Sequence, residues 1–345
     1  MENEKILFQM PRVVAWEVTR RCPLKCRHCR AGAADVPYAR ELSTAECRRV
    51  LDSLGPRPPM VIWTGGEPML RPDILELVSH ATSLGVRSVM APCGMLVTED
   101  RLRALKDAGV MACSFSLDGP DAASHDAFRG VPGAFDNVTR AMSVAHAIGM
   151  PFQVNTTVST LNLDRLEEIH AKAVELGAAK LDLFFLVPVG RGKGISQYAL
   201  SPEQTRQVLD WAFDKAVRGP LAIKETCCPS APAHWASWTN SHTCQPANPP
   251  TCEPPPAPHS GCTPVPRPHG GAPVPGAHPH AGVQPPCGCL GGRGFAFLSH
   301  VGDLQTCGFI DRPCGNIRDF ACDFRALVAS AANPLGAHGT CRGVI

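Results

Sequence analysis

Arg21-Cys22-Pro23-Leu24-Lys25-Cys26-Arg27-His28-Cys29 is the stretch on which the reading of this chain turns. Three cysteines at C-x3-C-x2-C spacing follow a short apolar run, Val13-Val14-Ala15-Trp16-Glu17-Val18. That run reads as a first β-strand, which puts the cysteines in the loop at its C-terminal end. Three thiolates on one short loop suit three corners of an iron–sulfur cubane and leave the fourth iron open. Structural clusters normally take four cysteines, so an open iron implies a ligand or substrate there. Zinc is the competing reading, with His28 as a fourth ligand. Zinc, however, favours closed sets of four N/S ligands in paired short-spaced groups.

Outward from this loop, short apolar runs alternate with amphipathic stretches. Candidate strands are Val13–Val18, Met60–Thr64, Arg87–Ala91, Ala112–Leu117, Phe152–Val158 and Lys180–Val187. Candidate helices are Thr44–Leu54, Ile74–Leu84, Glu99–Ala108, Ala134–Ile148, Leu163–Leu176 and one that starts after Ser201. Ser43 with Glu46, and Ser201 with Gln204, have capping-box spacing, and Pro202 suits a first helical position. Six strand–helix units in series predict an α/β fold with a parallel sheet and right-handed crossovers. Periodicity does not choose between a partial barrel and an open doubly wound sheet. In both, ligands gather at the C-terminal strand ends, where the cysteine loop lies.

The 345 residues carry a net charge of +2 with both signs interspersed, which gives no nucleic-acid footprint. The polar start, Met1-Glu2-Asn3-Glu4-Lys5, has no apolar core of a signal peptide. No apolar run is long enough to span a bilayer. Seventeen cysteines without an export signal point to metal or catalytic use rather than disulfides. Six of them lie before residue 227. Cys47 and Cys113 sit in apolar patterns and read as small buried hydrophobes. Residues 229–286 hold 17 of the 34 prolines and no apolar periodicity, so this stretch reads as a disordered insert. Its cysteines and histidines lack paired metal-ligand spacing.

Further motifs fall at the predicted strand ends. Thr64-Gly65-Gly66-Glu67-Pro68 offers two residues without side chains and a carboxylate that suits an ammonium group. Cys93 follows the third strand. Ser116-Leu117-Asp118-Gly119 ends the fourth, with Arg129 close behind; Asp118 also suits a turn cap. Asn155 lies on the fifth strand, and Val187-Pro188-Val189-Gly190-Arg191 ends the sixth.

With the cysteine loop, these motifs resemble the radical S-adenosylmethionine (SAM) family. The run from Pro11 to Arg20, Ser124-His125-Asp126-Ala127-Phe128-Arg129-Gly130, Leu186-Val187-Pro188-Val189-Gly190-Arg191, Gly288-Cys289-Leu290-Gly291-Gly292 and Cys307-Gly308-Phe309-Ile310 narrow the likeness to its haem-forming branch. The SAM-dependent haem synthases of the sirohaem pathway are the members it is most similar to.

The resemblance implies a partial (β/α)6 TIM-like barrel over residues 1–226, the insert over 227–287, and a SPASM-like auxiliary-cluster region over 288–345. It implies a [4Fe–4S] cluster on Cys22, Cys26 and Cys29. SAM would be held by Gly65, Gly66, Glu67, Ser116, Arg129, Asn155 and Val187. Cys93 stands where the family often has Asn and is taken as a bystander. Cys289, Gly302 and Cys307 match the start of the auxiliary module and imply a second [4Fe–4S] cluster. The denser cysteine group that follows would begin near Cys341, so this module is read as truncated.

The activity implied is oxidative decarboxylation of two propionates of iron-coproporphyrin III to vinyl groups, giving haem b. Arg191 and Lys193 would meet substrate carboxylates. A flavodoxin or ferredoxin would donate electrons, in the cytoplasm. The alternatives are a didecarboxysirohaem deacetylase, a peptide-modifying SPASM enzyme, and an inactive metal- or haem-binding remnant.

Overall fold

The computed structural model describes residues 10–242, 290–292 and 294–331. Seven parallel strands come first: β1 (Val13–Thr19), β2 (Met60–Gly65), β3 (Ser88–Met90), β4 (Val110–Ser116), β5 (Phe152–Val158), β6 (Lys180–Phe185) and β7 (Ala222–Thr226). The helices between them are α1 (Thr44–Asp52), α2 (Ile74–Ser83), α3 (Glu99–Asp107), α4 (Ala122–Arg129), α5 (Ala134–Ala147), α6 (Leu166–Glu175) and α7 (Pro202–Arg218). Both predicted capping boxes form, at Ser43/Glu46 and at Ser201/Gln204. The α/β class and the six serial units stand.

Three features depart from the sequence reading. Strand β7 adds a seventh parallel strand beside β6. Its sequence, Ala-Ile-Lys-Glu-Thr, carries too little apolar character to register as a strand, and an edge position tolerates that. The crossover from β4 to β5 holds two helices, because the polar segment Ala122–Arg129 is capped by Asp121 at one end and by left-handed Gly130 at the other. The described part of the predicted insert carries α8 (Ala231–His242). Trp235 and Trp238 stack with centroids 5.6 Å apart and close on Phe213 of α7, which supplies the apolar contact that holds this segment.

The chain returns to the same sheet after the insert. Strand β8 (Phe295–Leu298) pairs parallel to β1, and β9 (Asp303–Gln305) and β10 (Gly315–Asn316) continue antiparallel. The final element is α9 (Phe324–Ser330). The sheet order is β10-β9-β8-β1-β2-β3-β4-β5-β6-β7. The C-terminal region is therefore built onto the open edge of β1 rather than set apart from it.

The two sheet faces differ in chemistry. One is packed by helices: Val14, Trp16, Val18, Val61, Trp63, Met90, Phe115 and Val154 are buried there, with Trp16 and Trp63 stacked at 5.6 Å. On the other, Ala15, Ile62, Thr64, Val89, Ser116, Gln153, Asn155 and Thr157 alternate with those residues and stay only half-buried. A parallel sheet normally buries both faces in apolar residues. Small and polar side chains left partly open therefore mark a face that bounds a ligand space. Ser116, Asn155, Asp182 and Lys224 lie in register across β4 to β7.

Candidate functional site

The cysteine loop leaves β1 and is held by backbone hydrogen bonds to three other segments. Lys25 N–H donates to the Arg129 carbonyl (3.1 Å) and Arg27 N–H to that of Phe128 (2.9 Å), which docks the loop on the end of α4. Cys22 N–H donates to the Ala34 carbonyl (3.1 Å). Arg191 clamps the far side. Its N–H donates to the Cys29 carbonyl (3.0 Å), its Nε to the Cys26 carbonyl (2.9 Å) and its Nη1 to the Ala33 carbonyl (2.6 Å). Arg191 is thus committed to the loop backbone, which corrects the expectation that it waits at the mouth for a substrate carboxylate. Gly190 makes this approach possible: a Cβ there would sit 2.1 Å from the Arg30 carbonyl oxygen. Lys193 is exposed.

The three thiols have different surroundings. Cys22 and Cys26 are buried, and Cys29 is half-buried. Arg129 Nη1 lies 3.7 Å from Cys26 Sγ. Burial pushes the Cys26 thiol up, and the Arg129 cation opposes it. Ala33 N–H donates to Cys29 Sγ at 3.4 Å. Cys22 hydrogen-bonds Cys93, which lowers its own pKa, while Cys93 is driven well up. Cys93 also packs against the small apolar cluster that contains Cys22 and Cys26. His28 stacks on Phe128 with centroids 4.5 Å apart, and burial with the nearby Arg129 and Arg191 charges keeps it neutral. Among the described residues, no three His, Cys, Asp or Glu side chains close around a single ion.

Glu67 is fully buried. Its Oε1 accepts from Met69 N–H (2.8 Å) and its Oε2 from Cys93 N–H (2.6 Å), tying the loop after β2 to the loop after β3. Burial raises its pKa despite these bonds. The Cys93 side chain also hydrogen-bonds this carboxylate. Gly66 N–H donates to the Thr19 carbonyl, and Glu67 N–H to that of Arg21. A Cβ on Gly66 would meet the Arg21 oxygen at 2.2 Å, and one on Gly65 the Thr19 oxygen at 2.1 Å. The two glycines thus let the second loop lie directly against the start of the cysteine loop.

Arg129 is buried rather than a surface group. It forms an ion pair with Asp118, whose side chain is wholly buried and whose Oδ1 accepts from Thr157 N–H at 2.7 Å. Burial raises Asp118, with Arg129 and Thr157 pulling it back; burial works to lower Arg129, but Asp118 and Cys26 together raise it. Asp118 is therefore the arginine's partner rather than a turn cap. Ser116 and Asn155 are half-buried neighbours in register on the open face, and Asn155 Oδ1 accepts from Gln153 Nε2 at 2.8 Å. Val187 is buried beyond the end of β6.

The sequence reading missed Glu17, the one charged residue in the first apolar run. It is fully buried, and its partners hold it at a pKa of about 2 against the opposing effect of burial. Arg20 Nη2 (3.2 Å) and His300 Nδ1 (2.8 Å) meet Oε1, and Arg30 Nη2 (2.6 Å) meets Oε2. A carboxylate inside an apolar strand was the available signal.

Of the proposed second cluster, Cys289 and Cys341 lie outside the described residues. Cys307 is half-buried and its sulfur accepts from Phe309 N–H at 3.4 Å. Burial raises Cys314 to about 11. The thiols of Cys22, Cys26 and Cys29, with a guanidinium beside one of them and His28 held on Phe128, fit an anionic thiolate-ligated cluster better than a zinc knuckle.

The sequence model of the Radical SAM superfamily matches residues 16–173. The AdoMet-dependent heme synthase of Nitratidesulfovibrio vulgaris is 38% identical over 309 residues, covering 89% of this chain and 76% of that protein. The AdoMet-dependent heme synthase of Methanosarcina barkeri is 35% identical over 312 residues, covering 90% and 80%. Among solved structures, Streptococcus suis SuiB bound to S-adenosylmethionine aligns with a TM-score of 0.62 at 13% identity, over 94% of this chain and 66% of that one. That likeness concerns the fold.

Proposed function

Because this chain belongs to the radical SAM superfamily and to the family of the AdoMet-dependent heme synthases, we propose that it converts iron-coproporphyrin III to haem b. Enzymes of this superfamily use a [4Fe–4S] cluster and SAM. In our reading Cys22, Cys26 and Cys29 would hold the cluster, and SAM would bind beside it. When bound, this pair supplies hydrogen-atom abstraction at an unactivated carbon. The net change at each of two propionates is the loss of one hydrogen atom, CO2 and one electron, which leaves a vinyl group.

The chain's own residues bind and orient. Glu67 receives the SAM ammonium beside Gly65 and Gly66. Arg129 meets its carboxylate, an assignment that requires the guanidinium to share its donors between Asp118 and the ligand. Ser116 and Asn155 face the nucleoside, and Val187 packs on the adenine. The half-open polar face of the sheet receives the porphyrin. A carrier of the flavodoxin or ferredoxin class supplies and removes electrons, in the cytoplasm. Cys307 with Cys289 would take part in a second cluster.

The observation that carries this reading is identity of 35–38% to heme synthases across nearly nine-tenths of the chain. Anaerobically reconstituted protein with SAM, a low-potential reductant and iron-coproporphyrin III should yield haem b with one 5′-deoxyadenosine per propionate. Formation of 5′-deoxyadenosine with the porphyrin unchanged would overturn the substrate assignment. A second reading draws on the Fe-coproporphyrin III synthase of Methanosarcina barkeri, 34% identical over 59% of this chain and 51% of that protein. Didecarboxysirohaem in the same assay separates the two, because deacetylation would consume it.

A further inference from the structure

The cysteine loop has charged residues at both ends that none of the chemistry above uses. Arg20 lies two residues before Cys22, and Arg30 directly follows Cys29. Both reach the same buried carboxylate. Arg20 Nε and Nη2 are each 3.2 Å from Glu17 Oε1, and Arg30 Nη2 is 2.6 Å from Oε2. Glu17 stands near the end of β1 with no exposed surface, so water does not reach its carboxylate, although the Arg20 and Arg30 side chains are 31% and 20% exposed. Arg20 N–H and the Thr19 hydroxyl also donate to Glu41 Oε1, each at 2.9 Å, which fixes the entrance to the loop separately.

A third arm comes from the far end of the chain. His300 Nδ1 lies 2.8 Å from Glu17 Oε1. The Arg30 guanidinium stacks over the Phe297 ring with its carbon 4.3 Å from the centroid, and its Nη1 donates to the Gly308 carbonyl at 3.4 Å. Gly308 directly follows Cys307.

We propose that Glu17 is a positioning residue that clasps the two ends of the cluster-binding loop, and that the C-terminal segment carrying Phe297, His300 and Gly308 locks the clasp. This rests on the assignment of the [4Fe–4S] cluster to Cys22, Cys26 and Cys29, and not on the identity of the substrate. Partners that orient metal ligands without touching the metal are worth roughly 10- to 100-fold in metal retention.

The test uses the full chain with Glu17→Gln, which keeps the shape and removes the charge, and His300→Gln, which alters only the C-terminal arm. Three quantities are read: iron and sulfide retained against a chelator, the EPR g-values of the reduced cluster with and without SAM, and tryptic cleavage at Lys25 and Arg27 in metal-free protein. The expected result is cluster loss about 10-fold faster or more in Glu17→Gln, shifted g-values and faster cleavage of the loop, with His300→Gln in between. Parental cluster retention, g-values and cleavage rates in both variants would overturn the clasp. Should Glu17→Gln fail to fold by circular dichroism, His300→Gln and Arg30→Lys decide alone, and parental values in both overturn it equally. A Cys22→Ala variant that keeps a SAM-responsive EPR signal would instead defeat the cluster assignment beneath it.

Discussion

Replacing Asp118 with Asn isolates the charge of one buried pair. The Asp118 side chain is 0% exposed and that of Arg129 10%, so the pair has almost no access to water. Asparagine keeps the shape and can keep the bond from Thr157 N–H. The hydrogen bonds from Asn162 Nδ2 and to His125 Nδ1 use the Asp118 backbone and are untouched. What disappears is the negative charge facing the guanidinium. Removing one partner of a buried pair costs about 3–5 kcal/mol. The remaining contact to Cys26 Sγ and the residual exposure of Arg129 place the expected loss at the lower end, about 3 kcal/mol. Urea unfolding of metal-free protein under anaerobic conditions measures it, with the fully buried Trp16 and Trp63 as fluorescent reporters. An Asp118→Asn/Arg129→Gln double variant should be more stable than Asp118→Asn alone, because the orphaned cation is gone. A loss under about 1 kcal/mol for Asp118→Asn, or a double variant no better than the single, would refute the reasoning.

Gly66→Ala places a Cβ 2.2 Å from the Arg21 carbonyl oxygen and 2.5 Å from that of Arg20, both backbone atoms. The expected cost is about 1–3 kcal/mol with impaired cluster retention, read by thermal melts and iron analysis. Arg191→Ala removes two charged donors from the Cys26 and Ala33 carbonyls. Chelator-driven cluster loss should accelerate about 10-fold while the far-ultraviolet dichroism is retained. Acid should weaken the metal-free fold through Glu17, whose pKa falls from 4.5 to about 2 on folding. A depressed pKa gives stability that is complete above about pH 4.5 and fades as pH falls through 2. The full effect is about 3 kcal/mol, of which about 2 should be gone at pH 3. Urea midpoints of the parent and Glu17→Gln should accordingly converge between pH 7 and pH 3.

What the sequence made legible was local. Strand runs, helical periods and the serine caps at Ser43 and Ser201 depend on residues within one turn or one strand, and all of these appear in the fold. Cys47 and Cys113 lie in the core as expected, with burial raising both to about 12. The cysteine loop, the G-G-E-P run and Arg129 were placed at strand ends by counting units, and the loops converge there. The missing parts depended on pairing across the chain. No local pattern tells Val13 that it will face Phe295. Arg191 sits in a polar run that reads as a mouth, yet its Nε and Nη1 donate to loop carbonyls more than 150 residues away in sequence. Glu17 looked like an ordinary interruption of an apolar strand because its three partners come from the two ends of the cysteine loop and a distant turn.

The placement of β8 bears on how the site is kept together. Without it, β1 would be an edge strand, and edge strands expose unpaired backbone groups and fray first. β1 supplies the root of the cysteine loop and the carboxylate of Glu17. Strand β8 pairs with Val13, Val14, Ala15 and Trp16, and buries Ala296 and Leu298 in the same core cluster as Val14 and Trp16. The turn that follows delivers His300 to Glu17, and Arg318 further along binds Glu46 of α1 and the Arg40 carbonyl. The C-terminal segment therefore touches the strand before the cysteines, the loop end after them and the helix beyond. Each contact restrains the same loop from a different side. A fold that must hold three thiols at fixed separations gains from an edge strand turned into an interior one, since local opening of β1 would release the loop at its root. Hydrogen exchange should follow this logic: amides of β1 and residues 21–30 should lose protection together when Arg318→Ala loosens the segment, and unchanged protection in residues 21–30 would mean that the loop is held by α4 and Arg191 alone.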